Sequence, residues 1–218
     1  MIRVLETNAL ALVAEELLER LLLDAMSNQD RVSLALSGGS TPWPVLDLLS
    51  HSDIEWERVD VFQVDERIVP LSHPDRNLTH LAAKFLDKTR AVAHPMPVDD
   101  SDLQQATLSY ANRLPSHLDI VLLGLGADGH TASLVPGDAV VDVTDVDVAT
   151  TAEYNGHRRM TLTRRAIDKA ATIVWLVSGD SKRRALTQLL AGESAIPAGM
   201  ISTSNSIVVT DIRHEAVR

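Results

Sequence analysis

The chain predicts an α/β fold, a doubly wound and mostly parallel sheet with helices on both faces. Three observations lead there. Runs such as Val32–Leu36 and Thr172–Val177 are apolar at almost every position, as strands buried on both sides are. Between such runs lie stretches with apolar residues three and four apart, the period of a helix covering a core. Glycine-containing loops follow the apolar runs, at the place where an open parallel sheet binds its ligands.

Taken in order, residues 7–25 form the first helix, with Leu10, Val13, Ala14, Leu17 and Leu21 on one face and Glu15, Glu16, Glu19 and Arg20 between them. Thr7 or Asn8 is a candidate cap. Val32–Leu36 reads as the first buried strand, and further strands are expected at residues 59–64, 119–123, 172–177 and 207–209. Helices are expected at residues 77–88, 101–114 and 181–190. Pro95 and Pro97 mark one turn. The acidic stretch 138–147 lacks the spacing of a calcium loop and reads as a solvated connection. No repeat, linker or compositional break divides the 218 residues, so one domain spanning 1–218 is expected.

Composition removes several functions. Thirty acids against twenty bases give a net charge of −10, and only 3% of residues are aromatic, so a nucleic-acid partner is not expected. Cysteine is absent, which excludes disulfides, thiolate metal sites and a cysteine nucleophile. No apolar stretch approaches a membrane span, and the opening residues lack a secretory pattern, so a cytoplasmic protein is expected.

Three loops carry the chemistry. Ser37-Gly38-Gly39-Ser40-Thr41-Pro42 follows the first buried strand; its glycines permit close backbone approach, and Pro42 suits the first turn of a helix whose free N–H groups would face an anion. It lacks the Gly-Lys-Ser/Thr ending of a Walker loop. Asp65-Glu66-Arg67 places two acids and a permanent cation at the next strand end, where Arg67 can grip phosphate with two donors or simply pair with a neighbouring acid. The third loop, residues 124–131, contains Gly124-x-Gly126-x-x-Gly129, but Pro136 and Gly137 cut short the long helix that a dinucleotide site requires. The more informative residue there is His130, an imidazole suited to acid–base work, with Asp128 close enough to orient it or shape the loop. Farther on, Arg158, Arg159, Lys182, Arg183 and Arg184 concentrate positive charge in an acidic chain. Lys182 in the first turn of a helix calls for an anion, while Arg158, Arg183 and Arg184 suit an exposed face.

Together these motifs resemble the 6-phosphogluconolactonase family, which is related to the glucosamine-6-phosphate isomerases and deaminases, over nearly the whole chain. Residues 37–42 look like its phosphate loop. Asp65-Glu66-Arg67 with Val69-Pro70 and Asn77 looks like a second signature, and residues 124–134 look like its histidine loop. Arg159-Met160-Thr161-Leu162-Thr163 resembles a segment whose arginine holds substrate, and Ser178-Gly179 with Lys182 resembles the next strand-to-helix turn. The resemblance implies a Rossmann-like fold of the phosphosugar isomerase/lactonase type, and hydrolysis of 6-phospho-D-glucono-1,5-lactone in the oxidative pentose phosphate pathway. It implies no cofactor or metal, with a small phosphosugar lactone as the partner. His130 would be the general base, Asp65 a proton-transfer or structural group, and Ser37, Gly38, Gly39, Ser40, Thr41, Arg67, Gly126, Asp128, Gly129, Arg159 and Lys182 the substrate-binding set. The chain departs from the pattern in three places. Tyr154-Asn155-Gly156-His157-Arg158 replaces prolines that often precede the family arginine, Arg76 stands where serine is common, and residues 207–211 lack the usual tryptophan. The deaminase-type glutamate after the histidine loop is missing from residues 131–136, which favours the lactonase branch over a phosphosugar isomerase or deaminase, and the intact histidine loop with no basic helix-turn-helix region expected ahead of it disfavours a non-catalytic sugar-phosphate sensor.

Overall fold

Apolar residues alternate between the two faces of a seven-stranded parallel sheet. Leu34 and Leu36, Ile120 and Leu122, and Val174 and Leu176 point into one core; Ala35, Val121, Leu123, Ile173 and Trp175 point into the other. Each face therefore needs a helical cover, and burying both explains the near-absence of polar residues in these strands. The computed structural model describes residues 2–202 and 204–213.

Along the chain the elements are β1 (Arg3–Glu6), α1 (Leu10–Met26), β2 (Val32–Leu36), α2 (Pro42–Leu49), β3 (Val59–Gln63), β4 (Asp65–Arg67), α3 (Asn77–Lys84), β5 (Val92–His94), α4 (Leu103–Ala111), β6 (Ile120–Gly124), β7 (Val148–Thr150), β8 (Arg159–Leu162), α5 (Arg164–Asp168), β9 (Thr172–Val177), α6 (Arg183–Ala191) and β10 (Ser206–Thr210). The main sheet runs β1-β10-β9-β6-β2-β3-β5, with every adjacent pair parallel. Helices α1, α2 and α3 supply Leu17, Leu18, Leu22, Leu46, Leu49 and Leu81 to one core, and α4 and α6 supply Tyr110, Leu186 and Leu189 to the other. The chain winds from β2 outward through β3 to β5, then returns to place β6 on the other side of β2. The direction of winding thus reverses between β2 and β6, which opens a crevice beyond their carboxyl ends. No helix among the described residues is long and apolar enough to cross a membrane.

The predicted doubly wound architecture is present, with a second sheet that sequence patterning did not anticipate. Strands β4, β8 and β7 form a small antiparallel sheet, joined to the end of β3 where the Leu162 amide donates to the Val64 carbonyl at 2.8 Å. Its strands span only three or four residues, too few to carry a periodic signal. The first helix begins at Leu10 rather than residue 7. Its N-cap is Ala9, whose amide donates to the Thr7 hydroxyl at 3.0 Å, so Thr7 closes a turn ahead of the helix instead of capping it. The stretch 138–147 is also more built than a solvated connection. It holds a 3₁₀ turn at Ala139–Asp142 with Val140 buried, and the Asp138 carboxylate accepts from the amides of Val140 and Ala152 at 2.9 Å each.

One buried hydroxyl fixes the end of β3. Tyr110, fully buried, donates to the Gln63 carbonyl at 2.9 Å and accepts from the Gln63 amide at 2.8 Å; burial pushes its phenol well above the ordinary value, so it stays neutral. Tyr110→Phe leaves both backbone groups unpaired and should cost about 1–3 kcal/mol, read as a lower urea midpoint with an unchanged slope.

Candidate active site

A cleft of about 280 Å³, the scale of a small metabolite, opens where the winding reverses. It is lined by the loop after β2, the end of β4, the start of α3, the loop after β6, Arg159 of β8 and the turn after β9.

The loop after β2 is held to the neighbouring strand by the Ser37 amide donating to the Leu122 carbonyl at 3.1 Å. Gly39 has φ +127°, which an L side chain rarely adopts, and a Cβ at Gly38 would fall on the Asn77 carboxamide, so both glycines are demanded by geometry. Pro42 then begins α2 as its sequence position suggested, but the helix start does not offer the free N–H groups expected of it: Pro42 and Pro44 carry none, and the Trp43 amide donates to the Gly39 carbonyl at 3.3 Å. The Ser37 hydroxyl is buried without a hydrogen-bond partner among the described residues.

The antiparallel register of β4 and β8 puts Arg67 directly opposite Arg159, and Asp65 opposite Thr161. Two guanidinium groups facing each other across a ladder repel. Neither forms an ion pair among the described residues, and the Nε of each is buried without a partner. Their side-chain hydrogen bonds go to carbonyls: Arg67 Nη1 donates to Asp75 O at 2.5 Å, and Arg159 Nη2 to Tyr154 O at 3.4 Å. Burial lowers the Arg159 guanidinium from its ordinary value, with Asp65 working against that shift and Arg67 adding to it. Lys182 adds a third cation to the lining. A dianionic group seated between them would relieve the repulsion and fill the unused donors.

Glu66 fixes this arrangement from behind. Fully buried, it accepts from the amides of Arg67 at 2.7 Å and of Asn77 and Leu78 at 2.8 Å each, and from Gln63 Nε2 at 2.8 Å. It thereby caps the start of α3 and positions Arg67 through the backbone rather than by pairing with its guanidinium. Arg76, also buried, neutralises it at 3.5 Å and reaches Asp99 at 2.6 Å; this is the residue that stands where a serine is common.

The histidine loop is a closed turn. The Gly126 amide donates to the His130 carbonyl at 2.8 Å and the Gly129 amide to the Gly126 carbonyl at 3.0 Å. A Cβ at Gly126 would collide with the His130 ring and the Asp128 carboxylate, and Gly129, at φ +86°, would strike Ile196. The loop therefore needs glycine at 126 and 129 for close packing. Asp128 Oδ1 takes His130 Nδ1 at 2.5 Å and the His130 amide at 3.2 Å, and Oδ2 accepts from the Tyr154 hydroxyl at 3.1 Å. Burial would raise the Asp128 carboxyl, but these hydrogen bonds outweigh it and hold it below the ordinary value. With Nδ1 engaged, Nε2 is the ring nitrogen left to accept a proton.

Of the residues expected here, Ser37, Gly38, Gly39, Ser40, Thr41, Asp65, Arg67, Gly126, His130, Arg159 and Lys182 line the one cleft. Asp128 and Gly129 stand behind it, Asp128 against the His130 ring and Gly129 against Ile196. Lys182 is not in the first turn of a helix; it ends a 3₁₀ turn, Asp180–Lys182, and serves as the N-cap of α6. Asp65 is buried and accepts from Ser133 Oγ at 2.6 Å and Asn77 Nδ2 at 3.5 Å, so it ties the histidine loop to α3 while facing the cations. Ser133, Ser178 and Tyr154 went unnoticed as site residues. For Tyr154 a signal existed: Asn155-Gly156 is the favoured pair for a two-residue hairpin.

A family model described as glucosamine-6-phosphate isomerases/6-phosphogluconolactonase matches residues 6–210. The chain is 35% identical over 200 residues to the 6-phosphogluconolactonase of Synechocystis sp., covering 84% of this chain and 83% of that protein. Among solved structures, a 6-phosphogluconolactonase from Shewanella baltica superposes with a TM-score of 0.84 at 25% identity over 96% of each chain. A monomeric glucosamine-6-phosphate deaminase shares the fold, with a TM-score of 0.83 at 18% identity over 96% of this chain and 97% of that one.

The facing arginines predict that Arg67→Gln and Arg159→Gln each weaken binding of a phosphorylated sugar acid by about tenfold or more, measured by isothermal titration calorimetry, whereas Arg184→Gln leaves binding unchanged.

Proposed function

The chain belongs to the glucosamine-6-phosphate isomerase/6-phosphogluconolactonase family, and we propose that it hydrolyses 6-phospho-D-glucono-1,5-lactone to 6-phosphogluconate with His130 as general base. The observation that carries this reading is the shared cleft. An imidazole whose Nδ1 is tied to a carboxylate lies in the same cavity as two facing arginines that form no ion pair among the described residues.

The phosphate sits at the Arg67–Arg159 pair, aided by Lys182, the Ser37 hydroxyl and the amides of residues 38–41. Three cations and a set of unused donors match a dianion, and anchoring that end turns the remaining encounter into one of orientation. The lactone carbonyl carbon then lies toward His130. A lactone is an activated ester, so removing a proton from water as it attacks is sufficient help for the first step. His130 Nε2 takes that proton; Asp128 at Nδ1 holds the tautomer and offsets the positive charge that develops on the ring. As the tetrahedral intermediate collapses, the imidazolium returns the proton to the ring oxygen, which leaves as the C5 hydroxyl. One histidine thus serves both steps and ends in its starting form.

Asp65 acts in this scheme as a fixed charge and a strut. Its two oxygens accept from Ser133 and Asn77, so its contribution is to hold the histidine loop against the phosphate end and to temper the field of the two arginines. The single-domain organisation over residues 1–218, a cytoplasmic location and a place in the oxidative pentose phosphate pathway are part of the same proposal.

The decisive assay follows lactone loss by NMR on purified protein, with the spontaneous rate recorded beside it. Hydrolysis well above the spontaneous rate, with no ammonia released from glucosamine 6-phosphate, is the expected result; ammonia release without lactone hydrolysis would assign the deaminase reaction instead.

A further inference from the structure

Resting on the reading of His130 as the base, we infer that Tyr154 is a positioning residue for it, a third member that orients the Asp128–His130 pair through its hydroxyl. The argument begins with Asp128. Its carboxylate sits on a tight loop and is 41% exposed. Oδ1 is committed to His130, by ring and by amide, and Oδ2 has one hydrogen bond among the described residues, from the Tyr154 hydroxyl. Without that donor the carboxylate is free to turn about its last torsion and to exchange its Nδ1 contact for water. With it, both oxygens are assigned.

A hydroxyl can act this way only if it is itself held in place, and the Tyr154–His157 segment supplies that. Asn155 at φ 50° and Gly156 at φ +80° are the two left-handed positions of a two-residue hairpin turn, the geometry that Asn-Gly favours. The arms are bonded in both directions, the Tyr154 amide to the His157 carbonyl at 3.0 Å and the His157 amide to the Tyr154 carbonyl at 3.3 Å. The far arm is moored where His157 Nε2 meets Asp75 Oδ2 at 2.9 Å. The ring of Tyr154 is fixed from two further sides. It packs edge-on to the His130 ring, centroids 5.6 Å apart, and carries the Arg159 guanidinium 5.2 Å from its centroid. The hairpin that departs from the family pattern thereby touches the base, its orienting acid and one of the anion-holding arginines.

Tyr154→Phe removes the hydroxyl and keeps the ring; Tyr154→Leu removes both. The phenylalanine variant should lose about tenfold in kcat with KM within about twofold of wild type. The ¹⁵N spectrum of the His130 imidazole should change from a single Nδ1-protonated tautomer to a mixture. The leucine variant should show the same change and also a raised KM, because Arg159 loses its platform. A phenylalanine variant with wild-type kcat and a single tautomer overturns the inference, and so does one that loses turnover while the tautomer is unchanged. If the wild-type protein does not hydrolyse the lactone at all, the lactonase reading fails, and the tautomer comparison still decides the role of Tyr154.

Discussion

Two guanidinium groups set opposite each other across a short antiparallel ladder are the constraint on which the site depends. The pairing of Arg67 with Arg159 sets like charges together, and the chain holds it by backbone register and by the buried Glu66 hub rather than by neutralising it. The nearby carboxylate, Asp65, is committed to Ser133 and Asn77 and tempers the pair without forming an ion pair with either member. The cleft is therefore a preorganised demand for negative charge inside a protein whose net charge is −10, and in the proposed function that local inversion of sign is what would select a phosphorylated ligand.

The rest of the molecule delivers groups to this point. Parallel register brings the ends of β2, β3, β6 and β9 to one edge of the sheet, and the reversal of winding between β2 and β6 leaves space beyond that edge. The glycines after β2 and β6 let backbone and imidazole come close where a Cβ would collide. The small second sheet then folds over the edge, carrying Arg159 into the cleft, while the Tyr154 hairpin reaches Asp128 and His130. Stability and function are linked at Gln63. Its amide and carbonyl are held by Tyr110, its side chain by Glu66 and the Met96 amide, and it lies two residues before Asp65.

Much of this was legible in the sequence, because continuous apolar runs and glycine turns are local signals. Val32–Leu36 and Thr172–Val177 were located to the residue, and the three loops that line the cleft were identified from their chemistry. What stayed hidden was long-range. Strands of three residues such as Asp65–Arg67 have no periodicity, and nothing local reveals that Arg67 will face Arg159. The end of the turn before α6 shows the usual limit of boundary reading, with Lys182 just outside the helix it was assigned to. Tyr154 illustrates a different failure. Asn155-Gly156 announces a hairpin, but only the folded chain shows that its first residue points at Asp128.

The claim at the centre of this account is that an imidazole activates water at one end of a ligand anchored by cations at the other. Its most direct test is the lactone hydrolysis rate of His130→Ala after subtraction of the spontaneous rate, paired with the affinity of the same variant for 6-phosphogluconate. The account predicts a fall in turnover of about a hundredfold or more with near-normal product affinity; wild-type turnover in that variant would contradict it.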